Sequence, residues 1–161
     1  MARSTAYWAA NPYRLANPEP TPSAPYDALP ALVAERFRHA RAGLLALGPV
    51  SEQVRFMGSP WGWTWEYAVA ARKLCWLHPV ASRASGTFTL TDDEERRVLG
   101  AARLTAIVRD AVREGQRTGP VKWCWIPFAD RRHVDAFLGL VRRKAVWLGE
   151  APSARRRARA E

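Results

Sequence analysis

Tryptophan occupies alternate positions in Trp61-Gly62-Trp63-Thr64-Trp65-Glu66-Tyr67, and Trp123-Cys124-Trp125 repeats the spacing. Side chains two apart share one face of a strand, whereas on a helix they diverge by roughly 200°. Both segments therefore read as β structure. One sheet face is then expected to carry Trp61, Trp63, Trp65, Tyr67, Trp123 and Trp125. That is more indole than a small core consumes. It implies an aromatic wall, either packed under helices or left partly open to a flat ligand.

The surrounding sequence supplies the other elements. Gly58-Ser59-Pro60 is a turn signal, and the first strand runs from Trp61 to Ala70. Ala71-Arg72-Lys73 makes a polar break suited to a hairpin. Leu74 to His78 is a second strand stopped by Pro79, Gly86 to Leu90 a third, and Val121 to Phe128 a fourth. Asp27 is a candidate cap for a helix from about Ala28 to Ala46, ended by Gly48 and Pro49. Thr91-Asp92-Asp93-Glu94 reads as a capping box, in which hydroxyl and carboxylate satisfy opposing backbone donors. That helix is expected to reach Glu114 with a break near Gly100 to Leu104. Asp130 can cap a last helix, with Val134, Phe137, Leu138, Val141 and Ala145 inward, ending near Trp147. The order α, β, β, β, α, β, α predicts a two-layer α+β domain: a mainly antiparallel four-stranded sheet with helices packed on one face.

With 161 residues the chain is long enough for one domain with a real core. Residues 1–26 hold Pro12, Pro18, Pro20, Pro22 and Pro25, and proline removes backbone donors and restricts its neighbour. This segment reads as a disordered or docking arm, and Tyr7, Trp8 and Tyr13 are the side chains able to pin it to the domain or to a second copy. Residues 27–148 form the α+β domain, and 149–161 a basic, disordered tail.

No apolar run approaches the roughly 18 residues of a membrane helix, so no membrane partner is expected. No apolar leader opens the chain, and Cys75 and Cys124 are too few for a disulfide framework. A cytoplasmic setting follows as the expectation. The formal charge of +10 invites a nucleic-acid reading. Yet of the 25 basic residues only Lys73, Lys122 and Lys144 are lysine, a skew that matches the codon bias of a GC-rich genome. The densest cluster, Arg155-Arg156-Arg157-Ala158-Arg159, would bind polyanions weakly and salt-sensitively.

Several motifs in order resemble a family of small bacterial proteins known as a domain of unknown function. They are Gly62-Trp63, Lys73-Leu74-Cys75-Trp76-Leu77-His78-Pro79, Gly86-Thr87-Phe88-Thr89, Trp123-Cys124-Trp125-Ile126, and a final helix with Leu140-Val141-Arg142-Arg143-Lys144. The resemblance covers residues 29 to 146. In layout that family is similar to GyrI-like and YdhG-like α+β domains. This implies a ligand pocket against the sheet, hydrolytic in some relatives. GyrI-like binders usually repeat their module, and no repeat is visible here, so a pocket between copies would need a homodimer.

Three functions remain open. The first is a small-molecule-binding module that holds a planar or amphipathic ligand against Trp61, Trp63, Trp65, Tyr67, Trp123 and Trp125, by stacking or cation–π attraction. The second is a small hydrolase or detoxifying enzyme. In it Glu66, which points to the opposite face beside Gly62, Thr64 and Ala68, would act as acid or base. If that face is solvent, Glu66 is an ordinary strand carboxylate. The third is a weak nucleic-acid or polyanion binder using the Arg-rich tail and base stacking. His39, His78 and His133 are scattered, neither cysteine has a metal-ligand neighbour, and no phosphate loop or nucleophile turn is present. No cofactor or metal is expected.

Overall fold

The computed structural model describes residues 4–150. Short helices α1 (Thr5–Ala9) and α2 (Pro25–Ala28) precede α3 (Ala31–Leu45). Strands β1 (Val50–Phe56), β2 (Trp63–Val69), β3 (Arg72–His78) and β4 (Ser85–Leu90) follow, then α4 (Asp92–Leu99) and α5 (Ala106–Arg113). Strands β5 (Gln116–Thr118) and β6 (Val121–Pro127) lead into α6 (Arg131–Glu150). The strands form one antiparallel sheet in the order β1-β2-β3-β4-β6-β5. The architecture is α+β, but the sheet has six strands where four were expected.

The two extra strands were hidden for physical reasons. On β1, Val50, Val54 and Phe56 alternate toward the core, but Glu52 interrupts the stripe. Its carboxylate accepts from Arg41 Nε and Nη2 at 2.8 Å each and from the Tyr67 hydroxyl at 2.8 Å. A carboxylate so paired can face inward. The hydrogen bond to Glu52 holds Arg41 firmly charged, and burial pushes the Tyr67 hydroxyl well above its ordinary range. The other strand, β5, is three exposed residues joined to β6 through a turn at Gly119.

Helix boundaries follow local chemistry. Pro30 separates α2 from α3, so α3 starts later than an Asp27 cap implies. The capping box at Thr91 and Glu94 forms, and the break between α4 and α5 ends at the Thr105 cap. Asp130 Oδ1 accepts from the His133 backbone N–H at 3.1 Å, which opens α6. Helices α3, α5 and α6 cover one sheet face, with Phe37, Leu44, Val112, Phe137 and Val141 against Trp65, Tyr67, Leu77, Phe88 and Ile126. Gly86 admits Phe137: a Cβ there would lie 2.4 Å from its ring.

Lys144 is buried on α6 and donates to the Thr89 carbonyl and hydroxyl. The β3–β4 ladder stops at Trp76↔Thr87, and the ammonium supplies a donor just past that end. Desolvation lowers its pKa.

The proline-rich arm docks. Trp63 Nε1 donates to the Leu15 carbonyl and Trp65 Nε1 to the Pro22 carbonyl, each at 2.9 Å. Asn11 Nδ2 donates to the carbonyls of Trp61 (2.7 Å) and Trp63 (3.3 Å), and the Trp63 backbone N–H donates to Tyr13 O at 2.9 Å. Gly62, at φ +78°, makes this approach possible, because a Cβ would meet Tyr13 O at 2.3 Å. The chain that comes close to this glycine is the arm itself. The Arg-rich tail lies outside the described residues.

Candidate functional site

Cross-strand register divides the aromatics that were expected to share a face. The directly opposed pairs Tyr67↔Cys75, Leu77↔Gly86 and Phe88↔Cys124 lie on the helix-covered face, which places Trp63, Trp65 and Tyr67 there. The pairs Glu66↔Trp76, Trp76↔Thr87 and Thr87↔Trp125 lie on the other face, together with Trp123. Period two places residues within a strand, but only the register relates one strand to the next. Trp61 precedes β2 in the turn and is 49% exposed.

A pocket of about 300 Å³ opens on this second face. Trp8, Trp61, Trp76 and Trp123 form its walls with Met57, and Thr64, His78 and Thr87 its floor. Trp76 and Trp123 reach across β4 to stack, with centroids 5.1 Å apart and planes tilted 34°. The N-terminal arm provides the remaining wall. The Tyr7 hydroxyl bonds the Arg83 carbonyl at 2.9 Å and Ser85 Oγ at 2.6 Å, which anchors α1 and sets Trp8 edge-on to His78 at 5.1 Å. Tyr7 also covers Trp125 at 5.5 Å, removing that indole from the pocket.

The floor is tied together by hydrogen bonds. Thr64 Oγ1 donates its single proton to the Leu77 carbonyl at 2.9 Å. Its 3.1 Å contact with His78 Nδ1 therefore has the ring N–H as donor. That places a ring proton on Nδ1, and Nε2 lies in hydrogen-bond contact with the Thr87 hydroxyl at 2.8 Å. The floor is polar yet internally satisfied.

Glu66 is buried behind the wall rather than solvated. One oxygen pairs with Lys73 and lies 3.6 Å from Arg55 Nε, and the other accepts from Trp76 Nε1 at 3.1 Å. The carboxylate thus holds an indole in place, with cations on its far side.

Of the residues singled out from sequence, Trp61 and Trp123 line the pocket and Glu66 supports it. Trp63, Trp65 and Tyr67 are core, and Trp125 lies under Tyr7. Trp8, Trp76, Met57, Thr64, His78 and Thr87 were not foreseen as lining. Trp76 and His78 carried a signal, since they alternate on one strand as the other tryptophans do. Trp8, brought from the arm by a remote anchor, carried none. Among the described residues, no three His, Cys, Asp or Glu side chains come together to hold a metal, and no helix is long and apolar enough to cross a membrane. Comparison of the chain with protein-family models, with curated proteins and with solved structures finds no match.

Proposed function

We propose that the protein is a small-molecule-binding module whose ligand, planar or amphipathic, inserts among Trp8, Trp61, Trp76 and Trp123. One observation supports this above all: four indoles converge on an open cavity while the fold's core is filled by other residues. Trp61 and Trp123 keep 49% and 37% of their surface exposed, a cost in apolar exposure that packing does not require. In this reading Glu66 positions Trp76, and His78 and its two threonines form a rigid polar base.

The test is a thermal-shift screen with planar and amphipathic small molecules, read in parallel by tryptophan fluorescence. A ligand of the native state raises the midpoint by mass action. Trp76→Ala and Trp123→Ala are expected to remain folded and to weaken the hit by roughly ten-fold or more, the loss of one stacking wall. Undiminished binding in both folded variants rules out this placement.

A further inference from the structure

We propose that the pocket takes a nucleobase bearing a phosphate, either as a free nucleotide or as part of a single strand. This rests on the pocket reading above and adds the chemistry of the ligand. The ring surfaces alone would suit a planar base or an organic cation equally, because indole faces attract both. The charge around the rim separates the two.

Strands of the sheet contribute two carboxylates, Glu52 and Glu66. Glu52 is on the helix-covered face opposite Tyr67, which leaves Glu66 as the one strand carboxylate on the pocket face. Arg55 stands directly across from Thr64, a floor residue, in the β1–β2 ladder. Arg55 and Lys73 share one oxygen of the single Glu66 carboxylate, whose other oxygen takes Trp76 Nε1, so one positive charge is left over at this edge of the pocket face. Both cations are nearly half exposed, at 46% and 47%. The exposed Arg14 reaches the Ser59 carbonyl at 3.4 Å, in the turn that joins β1 to β2 and carries the pocket residue Trp61. A cation approaching these groups meets net repulsion, whereas a phosphate finds charge-assisted donors near the aromatic pocket.

The floor agrees with a flat ligand. Thr64 has its proton on Leu77 and its lone pair on His78, so it holds no donor for a deep polar group. The ligand is therefore gripped by ring faces inside and by charge outside. Aromatic platforms beside cationic rims are the general solution for single-stranded nucleic acid, with stacking indifferent to base identity. The Trp76–Trp123 pair, its planes tilted by 34°, offers an aromatic surface of that kind.

The experiment compares adenosine, adenosine monophosphate and a twelve-residue oligothymidylate against the full chain by fluorescence titration, at 50 and 300 mM salt. The monophosphate is expected to bind roughly ten-fold more tightly than adenosine at low salt, with the advantage shrinking at high salt as screening predicts. Arg14→Gln and Arg55→Gln should remove that advantage while leaving adenosine binding unchanged. Both leave Lys73 on Glu66, so Trp76 keeps its anchor. An oligothymidylate much tighter than the monophosphate identifies a single strand as the source; equal affinities identify a free nucleotide, and either supports the proposal. Equal binding of adenosine and its monophosphate overturns the phosphate assignment but leaves the pocket reading intact. If neither binds while an uncharged planar probe such as naphthol does, the nucleobase is wrong and the pocket stands. No binding by any planar probe overturns both.

Discussion

On the helix-covered face Trp65 is fully buried, packs edge-on to Phe37 at 5.5 Å and gives its indole N–H to the Pro22 carbonyl. On the opposite face Trp123 is 37% exposed and stacks on Trp76 above a cavity. The same residue type, in the same sheet, has been put to two uses. Beneath the helices an indole is a large apolar body whose one polar atom needs a partner, and a proline-rich arm, with acceptors in excess of donors, suits it. On the open face the indole N–H of Trp76 goes to a carboxylate, and its ring packs against Trp123 at the pocket wall. The partner of the indole N–H thus differs between the faces: arm carbonyls take those of Trp63 and Trp65, and a strand carboxylate takes that of Trp76.

The largest expected effect tests that division directly. Trp65→Ala should cost about 3–5 kcal/mol, the range for removing a buried aromatic. Trp123→Ala should cost well under about 1.5 kcal/mol, because its site is already partly solvated. Denaturant unfolding measures both. Comparable losses at the two positions would erase the distinction between the faces.

The elements of the fold were largely legible, since alternation and capping chemistry are local. The Thr91–Glu94 box, the Asp130 cap and the four hydrophobic strands can be read residue by residue. Strand β1 was not, because Glu52 on its inner stripe is satisfied by Arg41 and Tyr67 from other elements. The site was less legible still. Period two shows that Trp123 and Trp125 share a side, but nothing within either segment tells which side they share with Trp65. That relation is set by β3 and β4 lying between them, and by register through Gly86 and Phe88. The pocket's fourth wall comes from Trp8, held by Tyr7 on Ser85, a contact spanning 78 residues that no local pattern encodes.

The covered face should also betray itself in alkali. Burial pushes Cys124 from 9.0 up to about 12 and raises Cys75 further. Both groups keep their protons in the folded state while unfolded thiols lose theirs. Stability is therefore complete below about pH 9 and falls as pH rises above it, by about 1.4 kcal/mol per pH unit for each thiol. Tyr67, also raised by burial, adds to the loss above pH 10. Lys144 acts oppositely: its pKa is lowered, so the native state releases that proton first and gains stability as pH climbs toward 10.5. The difference between the wild type and Cys75→Ala/Cys124→Ala isolates the thiols, since Tyr67 and Lys144 are present in both. Unfolding free energies between pH 8.5 and 10.5 should fall less steeply in the variant. Parallel pH profiles would mean that the two thiols ionise with similar ease in both states, against their burial.

The smallest effect belongs to a place that serves both faces and lies on neither. The β2–β3 hairpin turns through Ala70 and Ala71, flanked by the pair Val69↔Arg72. Both alanines have positive φ, 48° and 63°, as a type I′ turn requires. Left-handed backbone costs a residue with a Cβ roughly 1 kcal/mol, which Asn and Gly avoid. Ala70→Asn with Ala71→Gly should thus raise stability by about 1 kcal/mol. Both positions are solvent-exposed, so no core contact is lost. The hairpin carries Trp65 and Tyr67 on one side and Glu66 and Trp76 on the other, so stiffening its turn supports the two faces equally. If the covered face acts only as structure and the open face as a site, the variant should unfold later yet bind planar ligands with unchanged affinity. An affinity that rose along with the melting temperature would show that the hairpin moves when the pocket fills. The open face would then be formed in part by its ligand.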